Sequence, residues 1–301
     1  MRLSLCIDPG RSWPEVLELA RRVDSGGWHT VYVCDHFMPH DPAGEPADGP
    51  MLECWTVLAA LATQTTAVRI GSLVLGNTYR HPAVLANMAA TLDLISQGRL
   101  VLGIGAGWQQ NEHAAYGIAL PEPRDRVAAL DEACAVIRSL LDQRRSTMAG
   151  SFYQLRDAPC DPKPSSRVPL LVGGGGPGTM RVAARHADLW HTWAQPAEFA
   201  RKNALLDRLC RNYVRPPGDL VRACGGTVTV RPDTAGASID QRPDDCDVFG
   251  SPAEILVRLS AYAEAGAGEF IVSDDASVPF DHALAQFDVL TQAVLPGLRA
   301  S

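Results

Sequence analysis

Short apolar runs alternate with longer amphipathic segments along almost the whole chain. Residues 3–7 form a run of strand length that stops at Asp8-Pro9-Gly10, and Ser12 with Glu15 three positions on makes a capping box for a helix reaching residue 24. Gly26-Gly27 closes that helix, and residues 30–34 are the second strand. The same reading gives a helix at 52–63, a third strand at 68–75, a helix at 83–95 and a fourth strand at 100–104. Residues 125–141 carry apolar positions at helical spacing, and 150–155 interrupt the alternation as an inserted β-hairpin. Strands at 169–172, 187–191, 227–230 and 270–273, with helices at 179–185, 196–213, 251–266 and 281–294, complete the series.

Eight short strands alternating with helices predict an α/β protein, a (β/α)8 TIM barrel whose functional residues gather at the C-terminal ends of the strands. An open doubly wound sheet is the alternative, but Asp8-Pro9-Gly10 stands where its dinucleotide fingerprint would follow the first strand. Residues 231–250 lack any pattern, which inside a compact domain reads as a lid or mobile loop. A length of 301 residues suits one such barrel, so the whole chain is expected to be a single domain.

Composition narrows the function. A formal charge of -7 leaves no basic surplus to neutralise phosphates, which argues against a nucleic-acid partner. No apolar run approaches the roughly 18 residues of a membrane span, and the first ten residues do not read as a secretion signal, so a cytoplasmic protein with no membrane partner is expected. The eight cysteines contain no C-x-x-C pair and read as free thiols, with neither disulfides nor a metal site.

The stretch from Gly98 to Gly117 carries the strongest chemical signal. Its strand breaks into Gly103, Gly105 and Gly107, which would leave bare backbone for a flat or phosphorylated ligand, and Trp108 offers a wall beside the polar Asn111 and Glu112. Gly173, Gly174, Gly175 and Gly176, followed by a helix at Thr179, form the best anion site in the chain, because exposed N–H groups at a helix start favour phosphate. His36 follows a strand beside Asp35, and an imidazole ordinarily titrates near neutrality, which suits a proton donor or acceptor, with Asp35 either orienting it or binding a ring hydroxyl. Trp190 and His191 end the sixth strand, and Trp190 is expected to wall the same pocket as Trp108, with Glu112 reaching the substrate. Asp8 and Asp274 also fall at strand ends, whereas His29, His40, His113, His186 and His282 read as surface or helix-face residues. No nucleophile elbow, zinc helix or Walker lysine is present.

Cys34-Asp35-His36-Phe37, the stretch GSLVLGNTYRHP from Gly71, the run from Gly98 to Gly117 and the four glycines from Gly173 together resemble the luciferase-like monooxygenase superfamily, in its branch that depends on coenzyme F420, a deazaflavin. The resemblance implies a (β/α)8 barrel with the cofactor ring across the strand ends and Asp35 and His36 near its reacting face. It further implies a cis non-prolyl bond at Leu73 and Val74 forming a bulge behind the ring, contacts from Asn77 and Thr78, and phosphate on Gly173 to Gly176. Deazaflavin sugar dehydrogenases carry a glutamate in the loop where this chain has Ala106-Gly107, which speaks against sugar-phosphate oxidation.

The implied reaction is hydride transfer between the deazaflavin C5 and a small organic molecule, with an F420H2-dependent reductase as the direction and His36 as proton donor. Lys163, Arg181 and Arg185 are the candidates for the coenzyme's oligoglutamate tail. An FMN-dependent two-component monooxygenase and a non-catalytic flavin-binding protein are the alternatives. Relatives commonly form homodimers, and a separate enzyme is expected to reduce the cofactor.

Overall fold

The computed structural model describes residues 1–231 and 248–300. The chain runs β1 (Arg2–Ile7), α1 (Trp13–Gly26), β2 (Thr30–Val33), α2 (Cys54–Gln64), β3 (Arg69–Ser72), β4 (Leu75–Gly76), α3 (Pro82–Ile95), β5 (Leu100–Gly105), α4 (Gln110–Ala115) and α5 (Pro123–Asp142). It continues β6 (Ser146–Ala149), β7 (Gln154–Ala158), β8 (Leu170–Gly173), α6 (Pro177–His186), β9 (Leu189–Trp193), α7 (Pro196–Asn212), β10 (Val221–Val230), β11 (Val248–Gly250), α8 (Pro252–Glu264), β12 (Glu269–Ser273) and α9 (Phe280–Val289). Parallel pairing in the order β10, β12, β1, β2, β3, β5, β8, β9 closes on itself through a further β9–β10 pairing, which makes the expected (β/α)8 barrel. The inserted hairpin is β6 and β7, an antiparallel pair before the fifth barrel strand β8.

Alternation along the strands sorts the core into two layers. Residues such as Leu3, Leu5, Ile70, Leu102, Val172 and Phe270 face outward into the main apolar layer under the helices. Cys6, Tyr32, Leu73, Val101, Leu171, Leu189, Ala223 and Ile271 face inward and plug the barrel. Two positions further along the same strands the inward residues are Asp8, Cys34, Gly103, Gly173, His191, Gly225 and Ser273. These are small or polar. The plug therefore stops below the C-terminal rim, and the barrel is hollow where its strands end.

Three local details depart from the sequence reading. The third strand breaks between β3 and β4 at a cis Leu73–Val74 bond, the feature that the family resemblance implied. The seventh strand starts at Val221 instead of Thr227, because Gly225 and Gly226 disguise a strand whose pairing with β9 and β12 is continuous there. The segment read as a patternless lid includes β11, which pairs in parallel with β10; the rest of that segment, 232–247, lies outside the described residues. The expected capping box at Ser12 forms and a second one starts α8, with the Ser12 and Ser251 N–H groups donating to Glu15 and Glu254 at 2.9 and 2.7 Å. No described helix is long and apolar enough to cross a membrane.

Candidate active site

A cavity of about 610 Å³ occupies the C-terminal mouth of the barrel. Its wall is drawn from the ends of β2, β4, β5, β8 and β9, and His36, Val74, Trp108, Glu112, the glycines after β8 and Trp193 all line it. The sequence motifs thus converge at one rim.

The glycines make room chiefly for the protein's own backbone and side chains. A Cβ on Gly103 would lie 1.9 Å from the Ser72 carbonyl oxygen, and one on Gly105 or Gly173 would lie 2.8 or 2.9 Å from a Val74 methyl. Only glycine on β5 and β8 lets the 73–74 bulge push into the barrel. Val74 then stands in the cavity wall as an apolar backing.

His36 owes its position to strand parity. Cys34 packs against the inner plug and His36 lines the cavity, so the residue between them turns the other way. The Asp35 carboxylate accepts two hydrogen bonds from Arg80, at 2.7 and 3.1 Å, and one from the Gly76 N–H at 3.0 Å. Arg80 also pairs with Glu53, which caps α2. Asp35 therefore clamps the backbone after the bulge and makes no hydrogen bond to His36, contrary to the sequence reading.

Glu112 does the orienting instead of reaching outward to substrate. Its side chain is fully buried and its Oε1 lies 2.9 Å from His36 Nδ1, while Oε2 accepts the Phe37 N–H at 2.8 Å and the Tyr79 hydroxyl donates to Oε1. A carboxylate only accepts, so Nδ1 carries a hydrogen and Nε2 is the atom left to exchange a proton. Burial opposes charge on His36, but the hydrogen bond and charge of Glu112 outweigh it and raise the imidazole above its ordinary value. Burial likewise opposes charge on Glu112, and the bonds from His36, Tyr79 and Phe37 hold it below the ordinary carboxylate range. Trp108, itself about half exposed, meets the His36 ring edge-on at 5.6 Å.

The neighbours of this group have structural duties. Asn111 and Gln109 donate to the Pro39 and Met38 carbonyls, fastening the loop after β2 over α4. His113 is buried, with Nδ1 donating to the Gln109 carbonyl, so its Nε2 accepts from Thr78 at 2.7 Å. Thr78 and Asn77 accordingly face this network and Tyr153, behind the cavity wall.

At the other side Gly174, Gly175 and Gly176 lead into α6, whose first turn leaves amide N–H groups without intrahelical acceptors. Gly174 has φ +129°, and a Cβ on Gly175 would sit 2.5 Å from Thr192 Oγ1 and 3.1 Å from Lys202 Nζ, so the bare loop is required. Thr179 spends its hydroxyl hydrogen on the Gly176 carbonyl. Lys202, which sequence reasoning missed, donates to the Gly175 carbonyl at 2.9 Å and brings positive charge to the loop. Lys163 donates to the Leu140 and Gln143 carbonyls and Arg185 pairs with Asp131, so neither is free for a tail, and Arg181 is exposed without lining the cavity.

Trp190 is not a wall of the pocket. It is fully buried outside the strands, stacked on Phe199 at 5.7 Å, and its Nε1 donates to the Gly174 carbonyl at 2.9 Å. His191 and Trp193 face inward in its place, and the alternation of the strand itself was the signal that identifies them.

A hollow-mouthed barrel with an oriented imidazole facing a glycine-built helix start is a (β/α)8 barrel of the kind whose functional residues sit at the C-terminal ends of the strands. The model of the luciferase-like monooxygenase family matches residues 4–243, and the chain belongs to that family. It is 37% identical over 175 residues to the F420-dependent glucose-6-phosphate dehydrogenase of Kineococcus radiotolerans, covering 58% of this chain and 50% of that one. With the enzyme of the same name from Nakamurella multipartita it shares 35% over 198 residues, 65% of this chain and 56% of the relative. The chain thus spans about half the length of the curated relatives it matches. Among solved structures, an F420-dependent secondary alcohol dehydrogenase in complex with an F420–acetone adduct superposes with a TM-score of 0.84 at 22% identity over 99% of both chains. The long-chain alkane monooxygenase LadA does so with 0.83 at 14% identity, over 100% of this chain and 91% of that one. These two share the fold.

Proposed function

We propose that this protein is an F420-dependent oxidoreductase that reduces a small organic substrate, with His36 as the proton donor. The observation that carries the reading is the Glu112–His36 pair in the wall of a cavity whose far side is the glycine loop. The residues present fit a phosphorylated, flat cofactor: the loop after β8 is one that a Cβ would fill, the first turn of α6 offers amide donors, and Val74 gives a ring an apolar backing. When bound, the deazaflavin supplies two-electron chemistry at C5 in place of oxygen activation. The curated relatives that share 35 to 37% identity bear F420-dependent names, which supports this coenzyme over FMN.

The chain's own residues do the rest. Glu112 fixes the His36 tautomer and keeps the ring protonated to a higher pH, which suits an acid that gives its Nε2 proton to a developing alkoxide. Trp108 and Trp193 narrow the mouth of the cavity. Asp35 acts as a positioning residue through Gly76 and Arg80. We read the chain as one domain acting as a homodimer in the cytoplasm, with a second enzyme supplying reduced coenzyme.

Titration of the purified protein with F420 and with FMN, followed by tryptophan fluorescence, tests the cofactor. F420 is expected to quench Trp108 and Trp193 at micromolar concentration, on the order of an ordinary cofactor affinity. Tight FMN binding with no response to F420 overturns the proposal in favour of a flavin monooxygenase.

A further inference from the structure

Two sulfur atoms meet at the floor of the cavity, and the proposed proton transfer uses neither. Cys6 on β1 belongs to the inward plug and is 2% exposed, whereas Cys34, one residue past the end of β2, packs on that plug and also lines the cavity. Cys6 pairs in register with Tyr32, so Cys34 stands two residues further along the neighbouring strand, on the same inner face. Their Sγ atoms lie 3.5 Å apart. Among the described cysteines Cys34 is the one that is not buried. Cys54 and Cys224 spend their S–H groups on the Val33 and Ala194 carbonyls.

A thiol reacts as its thiolate, so access and the surrounding charge decide which cysteine of a protein is attacked first. The hydrogen bond from Cys6 holds the Cys34 thiol below its ordinary value against the cost of burial, and the neighbouring His36 acts in the same direction. For Cys6 the bond to Cys34 and burial both act upward, so this sulfur keeps its hydrogen. The two thiols are therefore unlike: one faces the cavity and ionises more readily, and the other waits in contact beneath it. An accessible thiol with a second one in contact is the arrangement in which oxidation stops at a disulfide.

We propose that Cys34 is an oxidation site, attacked by hydroperoxides that enter the cavity, and that Cys6 is its resolving thiol, so that the pair passes reversibly between dithiol and disulfide. In the first step the Cys34 thiolate attacks one peroxide oxygen: an S–O bond forms, the O–O bond breaks, the sulfur gives up two electrons, and the departing hydroxide takes a proton to become water. In the second step the Cys6 sulfur attacks Cys34: the S–S bond forms, the S–O bond breaks, and the hydroxyl leaves with the Cys6 proton as a second water. Closure needs the two sulfurs to approach further. The ladder between β1 and β2 ends at Val33, so it does not hold the Cys34 backbone. Without Cys6, the sulfenic acid on Cys34 would meet more peroxide and pass to sulfinic acid, an irreversible change two residues from His36. The inference stands apart from the coenzyme reading, because it needs only the cavity and the two sulfurs.

The test uses the full chain carrying Cys246→Ser, which removes the cysteine that lies outside the described residues. The folded protein is exposed to a modest excess of hydrogen peroxide, then unfolded, labelled with N-ethylmaleimide and weighed by mass spectrometry. Cys6 and Cys34 are expected to lose their labels together, at least about tenfold faster than any other cysteine, with peptide mapping placing the cross-link between them and dithiothreitol restoring both. With Cys6→Ser added, Cys34 is expected to be trapped by dimedone and, on longer exposure, to gain two oxygen atoms that dithiothreitol does not remove. With Cys34→Ser added instead, Cys6 is expected to keep its label. The inference is overturned if both thiols label fully after peroxide, if the cross-link joins any other pair, or if Cys34 becomes sulfinic acid as fast with Cys6 present as without it. Should either serine variant fail to fold, the label count and cross-link map of the parent chain still decide between these outcomes.

Discussion

The two sides of the barrel mouth look alike in sequence and differ in what their polar groups are doing. Where β1 meets β12, Asp274 holds Arg11 through bonds of 2.6 and 2.8 Å, both side chains being 2% exposed. Asp8 accepts the N–H groups of Gly10 and Ala276 at 2.8 and 3.0 Å. On that side the polar groups are paired within the protein. On the side formed by β2, β5, β8 and β9, His36 is a quarter exposed and keeps Nε2 for exchange. Acidic residues after barrel strands therefore carry no functional message by themselves. The message lies in which atoms the fold leaves unspent, since a paired buried ion is held in place and an unpaired one has work available.

The largest expected effect breaks the closed side. Asp274→Ala strands the buried Arg11 guanidinium and is expected to cost about 3–5 kcal/mol of stability in urea unfolding, with turnover per folded molecule unchanged. On the open side His36→Ala is expected to lower turnover about 10²-fold while the F420 dissociation constant stays within a few fold. Unchanged turnover would remove His36 from the chemistry.

Glu112→Gln sharpens the contrast through pH. His36 titrates above an ordinary histidine when folded, so its pairing stabilises the protein fully below the unfolded value of about 6.5 and that contribution disappears as pH rises through the higher folded value. Activity that needs the protonated ring falls over the same rise. In Glu112→Gln this limb is expected to move to lower pH in the kcat profile, and a limb that stays in place would assign it to another group. Trp190→Phe should show the smallest change, about 1 kcal/mol of stability from the lost bond to the Gly174 carbonyl, with KM for substrate unaltered. A large KM change would return Trp190 to the cavity wall.

Much of this was legible in the order of residues. Alternation of apolar runs with amphipathic segments marked out the barrel, the Ser12–Glu15 capping box marked the start of α1, and the glycines from Gly173 marked the bare loop that leads into α6. His36 was legible because a strand delivers it to the rim. Its partner was not. Glu112 is 76 residues away on a six-residue helix, and only closure of the sheet between β2 and β5 brings the two within 2.9 Å. Lys202 was hidden for the same reason, being 27 residues beyond the carbonyl it meets.

The choice between Trp190 and Trp193 was open to reading from strand parity, yet that parity acquires meaning only once one face of the sheet is known to be the inside. Gly103 and Gly105 show the same limit from another side. Their spacing announces missing side chains, but the backbone and methyl groups that take up the space come from residues 72 and 74, about thirty positions earlier. Local preference is written along the chain because it depends on neighbours in sequence. The pairing of one polar group with another, and hence which remain free for chemistry, depends on neighbours in space, and the closed barrel alone supplies them.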